Sequence, residues 1–295
     1  MLLNGELVAI PTETVYGLAA LARDPLAVRR VFAQKGRPVD HPLIVHLPDA
    51  ASLGAWARVP DHHRALVEEL ASRFWPGPLT LVLPRQPGVP DEVTGGLNTV
   101  GIRVPSHPVA LEVLRAVGGG LAAPSANRFG RISPTTAAHV AAEFGDDVAI
   151  VDGGPCTVGV ESTILDLSQA VPTLLRPGGL PTEDLEVFTG PLVQGTTVAP
   201  GTLAAHYAPR TGLLIVADAN AEAARLRDQG HAVAVLLATA APRHARELYA
   251  RLRELDALGV DFLVAEAAAE QGLGRAINDR LRRAATGSGR YDRDP

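Results

Sequence analysis

Apolar residues along this chain fall in short runs, and the runs repeat with two different periods. Residues 7–10, 43–47, 79–83, 100–104, 148–151, 162–167 and 173–175 are apolar segments of strand length. Residues 25–34 place Leu26, Val28, Val31 and Phe32 at helical spacing for a core, and residues 61–74, 107–117 and 134–144 also read as helices. Residues 11–17 read as a polar turn. Pro84 stops one strand, and Gly118-Gly119-Gly120 stops one helix before Leu121. Strands and helices alternate irregularly, so the expected sheet is mixed.

From residue 190 to 210 the periodicity disappears and Gly, Thr and Pro accumulate, the mark of a functional loop or a linker. Beyond it, apolar strands at 213–216, 232–237 and 262–264 are separated by helical runs at 221–229 and 242–258, which predicts a small parallel sheet. A last helix over 274–285 carries Arg275, Arg280, Arg282 and Arg283, read as a solvated face. The expected organisation is an α/β domain over 1–189, a linker over 190–210, a smaller parallel α/β domain over 211–286, and a disordered polar tail over 287–295.

A chain of 295 residues, 46% hydrophobic, fits two moderate domains. Its net charge of -5 argues against a broad nucleic-acid surface but leaves room for a local basic pocket. One cysteine, Cys156, excludes an internal disulfide and a Cys-rich zinc module, and is expected to be a buried hydrophobe in a reducing compartment. The first residues lack a signal-peptide pattern, and no apolar run reaches the roughly 20 residues of a membrane span, so the expectation is a cytoplasmic protein without a membrane partner. No glycine-rich fingerprint of the Rossmann or Walker type is present.

Lys35 is the single lysine among 27 basic side chains, and it sits in Gln34-Lys35-Gly36-Arg37-Pro38. An ammonium is a point charge on a flexible stem and a guanidinium a planar fork; together they can grip a polyanion. Pro11-Thr12-Glu13-Thr14-Val15-Tyr16-Gly17 puts hydroxyls, a carboxylate and a phenol after a strand, where ligands converge in α/β proteins. Glu13 there has two readings, a capping residue or a group that orients substrate or magnesium. Pro124-Ser125-Ala126-Asn127 and Ser133-Pro134-Thr135 add a hydroxyl, an amide and a helix start; Ser133 suits either phosphate binding or an N-cap. Phe74-Trp75-Pro76 is read as core packing. Five histidines, His62, His63, His139, His231 and His244, are placed on the surface without a role, and His46 has an even choice between ligand and structural histidine.

The ordered series PTETVYGL, KGRP, PLIVH, FWPGPLTLVL, GIRVP, APSAN, GVESTILDL and LLRPG resembles the YrdC/Sua5 family of L-threonylcarbamoyladenylate synthases. The segment from Ala199-Pro200-Gly201-Thr202 to His206-Tyr207-Ala208-Pro209, with the module after it, resembles the two-domain Sua5 branch, so the resemblance spans nearly the whole chain. It implies a YrdC-like domain with a twisted mixed sheet and a central groove, followed by a small Rossmann-like domain. It also implies that ATP, L-threonine and bicarbonate become threonylcarbamoyl adenylate and pyrophosphate, for transfer to adenosine 37 of tRNA by a downstream transferase complex. Magnesium is expected with ATP, the metal ligands are not assigned, and no organic cofactor is expected.

Carried onto this sequence, the family pattern assigns catalysis to Lys35 and Arg37. It assigns ATP contacts to Lys35, Arg37, His41, Thr99, Ser125, Asn127, Ser133, Arg176 and His206. Threonine falls to Thr14, His46, Arg103, Ala123, Ser162 and Thr163, with Arg103 the natural bidentate partner of a carboxylate. His206 and Tyr207 become lid residues, unless the linker is a passive tether. Two rivals are a non-catalytic nucleotide- or RNA-binding module with weak tRNA contact, which the acidity disfavours, and a carbamoyl-phosphate-using enzyme of the hydrogenase-maturation type, which the lack of cysteine pairs disfavours.

Overall fold

The computed structural model describes residues 1–289; residues 290–295, most of the expected tail, lie outside the described residues. The first module comprises β1 (Val8–Ile10), β2 (Gly17–Leu21), α1 (Pro25–Lys35), β3 (Ile44–His46), α2 (Arg64–Phe74), β4 (Leu79–Pro84), α3 (Asp91–Thr94) and β5 (Thr99–Arg103). It continues through α4 (Pro108–Val117), β6 (Leu121–Ala122), α5 (Ala137–Phe144), β7 (Ala149–Ile150), β8 (Thr163–Asp166), β9 (Thr173–Arg176), α6 (Thr182–Thr189) and β10 (Val193–Gln194). These strands make one mixed sheet in the order β10-β9-β8-β4-β5-β3-β6-β2-β1-β7. The second module, β11 (Gly212–Val216), α7 (Ala219–Asp228), β12 (Val233–Leu236), α8 (Ala241–Asp256), β13 (Phe262–Glu266) and α9 (Leu273–Gly287), has a parallel three-stranded sheet in the order β11-β13-β12.

Local chemistry fixes the elements that carry the site. Asp24 caps α1 by accepting from the amides of Leu26 and Ala27, and Pro25 sits where its missing N–H costs nothing. The helix stops at Gly36 (φ 63°), which turns the chain so that Lys35 ends the helix and Arg37 follows the turn. Parallel pairing of β3 with β5 sets His46 opposite Arg103.

Several expectations change. The turn at 11–17 runs into β2, whose Gly-Leu-Ala-Ala-Leu lacks the β-branched residues that flag a strand. Helix α5 begins at Ala137 with Thr136 as its cap, so Ser133 is not an N-cap. Leu26 is exposed, whereas His63 and His244 are buried. Helix α9 runs to Gly287, and the next residues are held: Ser288 accepts from the Leu213 amide and the Gly289 amide donates to the Arg210 carbonyl.

The last helix is not simply a solvated face. Arg275 and Arg282 point outward to Glu183 and Glu270, but Arg280 is 0% exposed and Arg283 donates to the carbonyls of Thr202 and Leu203 in the linker. The modules share a core: Val15, Ile132 and Val160 pack with Tyr207 of the linker and with Tyr249, Leu252, Ile277 and Leu281. Each side chain buried in this way contributes about 1.5–3 kcal/mol.

Candidate active site

The turn after β1 is organised by its own side chains. Thr12 donates to the Val15 carbonyl (2.6 Å) and accepts from the amides of Thr14 and Val15, which presents Thr14 to Arg103. Arg103 donates to Thr14 Oγ1 (2.9 Å) and to the Gly77 carbonyl, and its Nη2 lies 2.7 Å from Glu13 Oε1, an ion pair outside hydrogen-bond alignment. Glu13 therefore balances Arg103 and caps no helix. Opposite, Ser162 Oγ meets Thr80 Oγ1 (2.8 Å) on the neighbouring strand.

Three further cations converge. Arg37 Nη2 donates to the Pro42 carbonyl, its buried Nε has no protein partner, and burial pulls its guanidinium down to about 10. Arg176 donates to the Ser162 carbonyl through Nε and Nη2 and to the Pro200 carbonyl through Nη1, joining β8 to the linker. Lys35 Nζ donates to the carbonyls of Ser125 and Asn127, and burial followed by the Arg37 charge holds it well below the ordinary lysine range. The histidines stay neutral in this field. Burial drives His46 to about 3, assisted by Arg103, and drives His206 to about 3 against the pull of Glu161, with Arg37, Lys35 and Arg176 acting in the same direction as burial.

The linker closes the site. His206 and Tyr207 are buried and line the cavity with Pro200 and Gly201. Tyr207 is the one non-glycine residue with positive φ (61°) among the described residues, a conformation that persists only where surroundings enforce it. Its buried hydroxyl has no protein partner. Beneath, the cavity encloses about 50 Å³, against the roughly 300–1,000 Å³ of a pocket for a drug-sized ligand.

One cavity gathers Thr14, Arg37, His46, Arg103, Ala123, Ser125, Ser162, Arg176, His206 and Tyr207. Six other residues named from the sequence are not on its wall. Lys35 stands behind the Ser125 loop, and Asn127 donates to the carbonyls of Arg128 and Arg131. Thr163 donates to the Leu180 carbonyl and accepts from its amide, so its hydroxyl is used inside the fold. Ser133 is fully buried, and donates to Glu161 Oε1 (2.6 Å). His41 lies edge-on to Phe129, which meets His206 edge-on in turn. Thr99 opens β5, four residues or about 13 Å along the strand from Arg103.

Glu161, in the GVESTILDL segment, also lines the cavity, a residue to which the sequence assigns no role. Its Oε2 accepts from Tyr249 (2.8 Å) and Arg280 Nε (2.7 Å), both from the second module. A buried carboxylate in an apolar stretch, Gly-Val-Glu-Ser, was the available signal. Among the described residues, no group of three or more His, Cys, Asp or Glu side chains is arranged to hold a metal ion, and no helix is long and apolar enough to cross a membrane.

Fold and cavity together define a two-module α/β protein with an arginine-lined pocket suited to small anions, roofed by its own linker. Residues 1–178 match the Sua5/YciO/YrdC family model, described as telomere recombination, and residues 174–286 match the model for the C-terminal domain of threonylcarbamoyl-AMP synthase. The chain is 43% identical over 312 residues to the threonylcarbamoyl-AMP synthase of Pyrococcus abyssi, covering 95% of this chain and 91% of that one. It is 40% identical over 320 residues to the protein of that name from Bacillus subtilis, covering 97% and 91%. Its structure matches the crystal structure of P. abyssi Sua5 complexed with L-threonine at a TM-score of 0.91 and 41% identity, over 97% of this chain and 92% of that chain. The chain belongs to the two-domain Sua5 branch of the Sua5/YciO/YrdC family.

Proposed function

We infer that this protein is a threonylcarbamoyl-AMP synthase, an enzyme that makes L-threonylcarbamoyladenylate from L-threonine, bicarbonate and ATP with release of pyrophosphate, for t6A modification of tRNA. The observation that carries this reading is the pairing of a guanidinium held beside a hydroxyl, Arg103 with Thr14, with two further cations, Arg37 and Arg176, on the wall of one small cavity, and Lys35 behind it. The likeness to threonylcarbamoyl-AMP synthases over nearly the whole chain supports it, and a non-catalytic module is not favoured.

The threonine amine and bicarbonate condense to a carbamate with loss of water; a carbamate oxygen then attacks the α-phosphorus of ATP and pyrophosphate leaves. Such chemistry needs positioning and neutralisation of developing charge more than a protein nucleophile. Arg103 holds the threonine carboxylate, neutral His46 and the hydroxyls of Thr14 and Ser162 meet its amine and hydroxyl, and Arg37 and Arg176 face the phosphates. Lys35 acts on them through the Ser125 loop. Magnesium travels with the triphosphate. The linker opens to admit the nucleotide, because the enclosed volume is too small for it, and closes to keep water from the carbamate. The product passes to a tRNA-modifying transferase in the cytoplasm.

The test is incorporation of labelled bicarbonate into an ATP-dependent product. Incorporation that requires threonine and strongly disfavours valine is expected; incorporation independent of threonine overturns the reading.

A further inference from the structure

We propose that Tyr249 and Arg280, side chains of the second module, are positioning residues for adenylate formation, acting through Glu161 on the pocket wall and through Tyr207 on the lid. The proposal rests on the activity inferred above and adds two residues and a role for a module that has no reactive constellation of its own.

Glu161 is the carboxylate on the pocket wall, and it adjoins Ser162, whose carbonyl anchors Arg176. Left alone, its charge would draw Arg176 out of the position from which it faces phosphate. Arg280 prevents this. Its Nε donates to Glu161 Oε2 at 2.7 Å, Tyr249 donates to the same oxygen at 2.8 Å, and Ser133 donates to Oε1 at 2.6 Å. The remaining oxygen valences of Glu161 are thus met without Arg176, whose fork stays on Ser162 and Pro200. Arg280 in turn is fixed by Asp279 (2.5 Å) and is wholly buried.

The same two residues support the lid. The Arg280 guanidinium lies 5.1 Å from the centroid of the Tyr207 ring, and Tyr207 stacks on Tyr249 at 5.7 Å, interplanar angle 25°. A cation over one face and an aromatic ring alongside stabilise Tyr207 in its positive-φ conformation. One arginine of the second module therefore touches both the pocket carboxylate and the roof above it.

The experiment compares wild type, Tyr249→Phe, Arg280→Gln and the double variant in full-length protein, measuring pyrophosphate release against ATP from pH 5.5 to 8.5, with circular dichroism and thermal midpoints as controls. Y249F keeps the stacking and loses one hydrogen bond to a charged group, so kcat/KM for ATP is expected to fall about tenfold. R280Q is expected to fall further, about a hundredfold, and the double variant no further than R280Q, since both residues act on one carboxylate. The charged groups facing Glu161 are Arg176, Arg280 and its neighbour Asp279, with Tyr249, Tyr207 and His206 as titratable neighbours. Loss of Arg280 lets the Glu161 carboxyl titrate higher, so the kcat/KM profile of R280Q gains an acid limb absent from wild type. Wild-type kinetics in folded Y249F and R280Q overturn the proposal, as does a loss of activity that follows stability while the pH profile keeps its shape. A wild-type protein without threonine-dependent pyrophosphate release would instead overturn the inferred activity.

Discussion

Lys35 Nζ lies 2.5 Å from the Ser125 carbonyl oxygen, so the single lysine of the chain reaches the site through the backbone of the loop that carries a pocket hydroxyl. Its second bond, 2.6 Å to the Asn127 carbonyl, completes a two-point brace that a planar fork one bond longer cannot copy. Lys35→Met and Lys35→Arg are each expected to lower kcat/KM for ATP on the order of a hundredfold, the scale seen when one preorganised donor is lost. Steady-state pyrophosphate release measures this, and full activity in K35R would show that charge alone suffices.

Gly201 has φ 73°, and a Cβ there would lie 2.1 Å from Tyr207 Oη and 2.8 Å from Arg176 Nη1. Gly201→Ala is therefore expected to hold the linker off the pocket, lowering kcat about tenfold or more, and to lower the thermal midpoint as well, because the displaced Tyr207 belongs to the core shared by the two modules. Turnover and melting curves on the same preparation separate the two effects.

Ser162 and Thr163 are adjacent in sequence and opposite in role. Thr163→Val leaves the Leu180 amide and carbonyl unsatisfied, and is expected to cost about 1–3 kcal/mol of stability with KM for threonine unchanged. Ser162→Ala should raise that KM, and it also costs stability on the order of 1–3 kcal/mol because it leaves the Thr80 hydroxyl without its partner, so the KM for threonine is what separates the two variants. Urea unfolding and threonine titration of kinetics check the pair, and a raised KM in T163V would return Thr163 to the pocket.

Acid should weaken the fold from an unusually high pH. His46 and His206 fall from an ordinary value of 6.5 to about 3 on folding, so between those limits the unfolded chain binds more protons. Stability present above pH 6.5 is then lost as pH falls toward 3, by roughly 1 kcal/mol per pH unit for each fully displaced histidine. Glu161, held at about 2 by Arg280 and Arg176 against its burial, adds a loss of the same sign below about pH 4.5. Urea midpoints at pH 7 and 5 measure the slope, which should be shallower in His46→Gln.

Patterning along the chain revealed the longer strands of both sheets and most helices because those segments bury one face or both. It missed β2, β6 and β10, which are alanine-rich or too short to carry a period and are held by neighbours instead, whereas β7 falls within the strand expected at 148–151. The pocket was legible where a motif puts polar groups at the end of a strand or helix, as at Thr14 after β1, Arg37 after α1 and Arg103 at the end of β5. It was not legible where function depends on contacts between distant segments. Arg280 sits on a helix that also carries the outward-facing Arg275 and Arg282, and Tyr207 shows its strain only in its backbone angle. Nor does spacing distinguish Ser162, which faces the cavity, from Ser133, whose hydroxyl is spent on Glu161.

The buried contact of Val15, Ile132 and Val160 with Ile277 and Leu281 also bears on synthesis of the chain. A polypeptide leaves the ribosome N-terminus first, and domains usually fold as they emerge. Here the helix that covers those residues and neutralises Glu161 follows both sheets in the chain and is the last helix among the described residues. A nascent first module carries an uncovered apolar face and a carboxylate without its arginine until that helix clears the exit tunnel, so its pocket is completed only after the second module has been made.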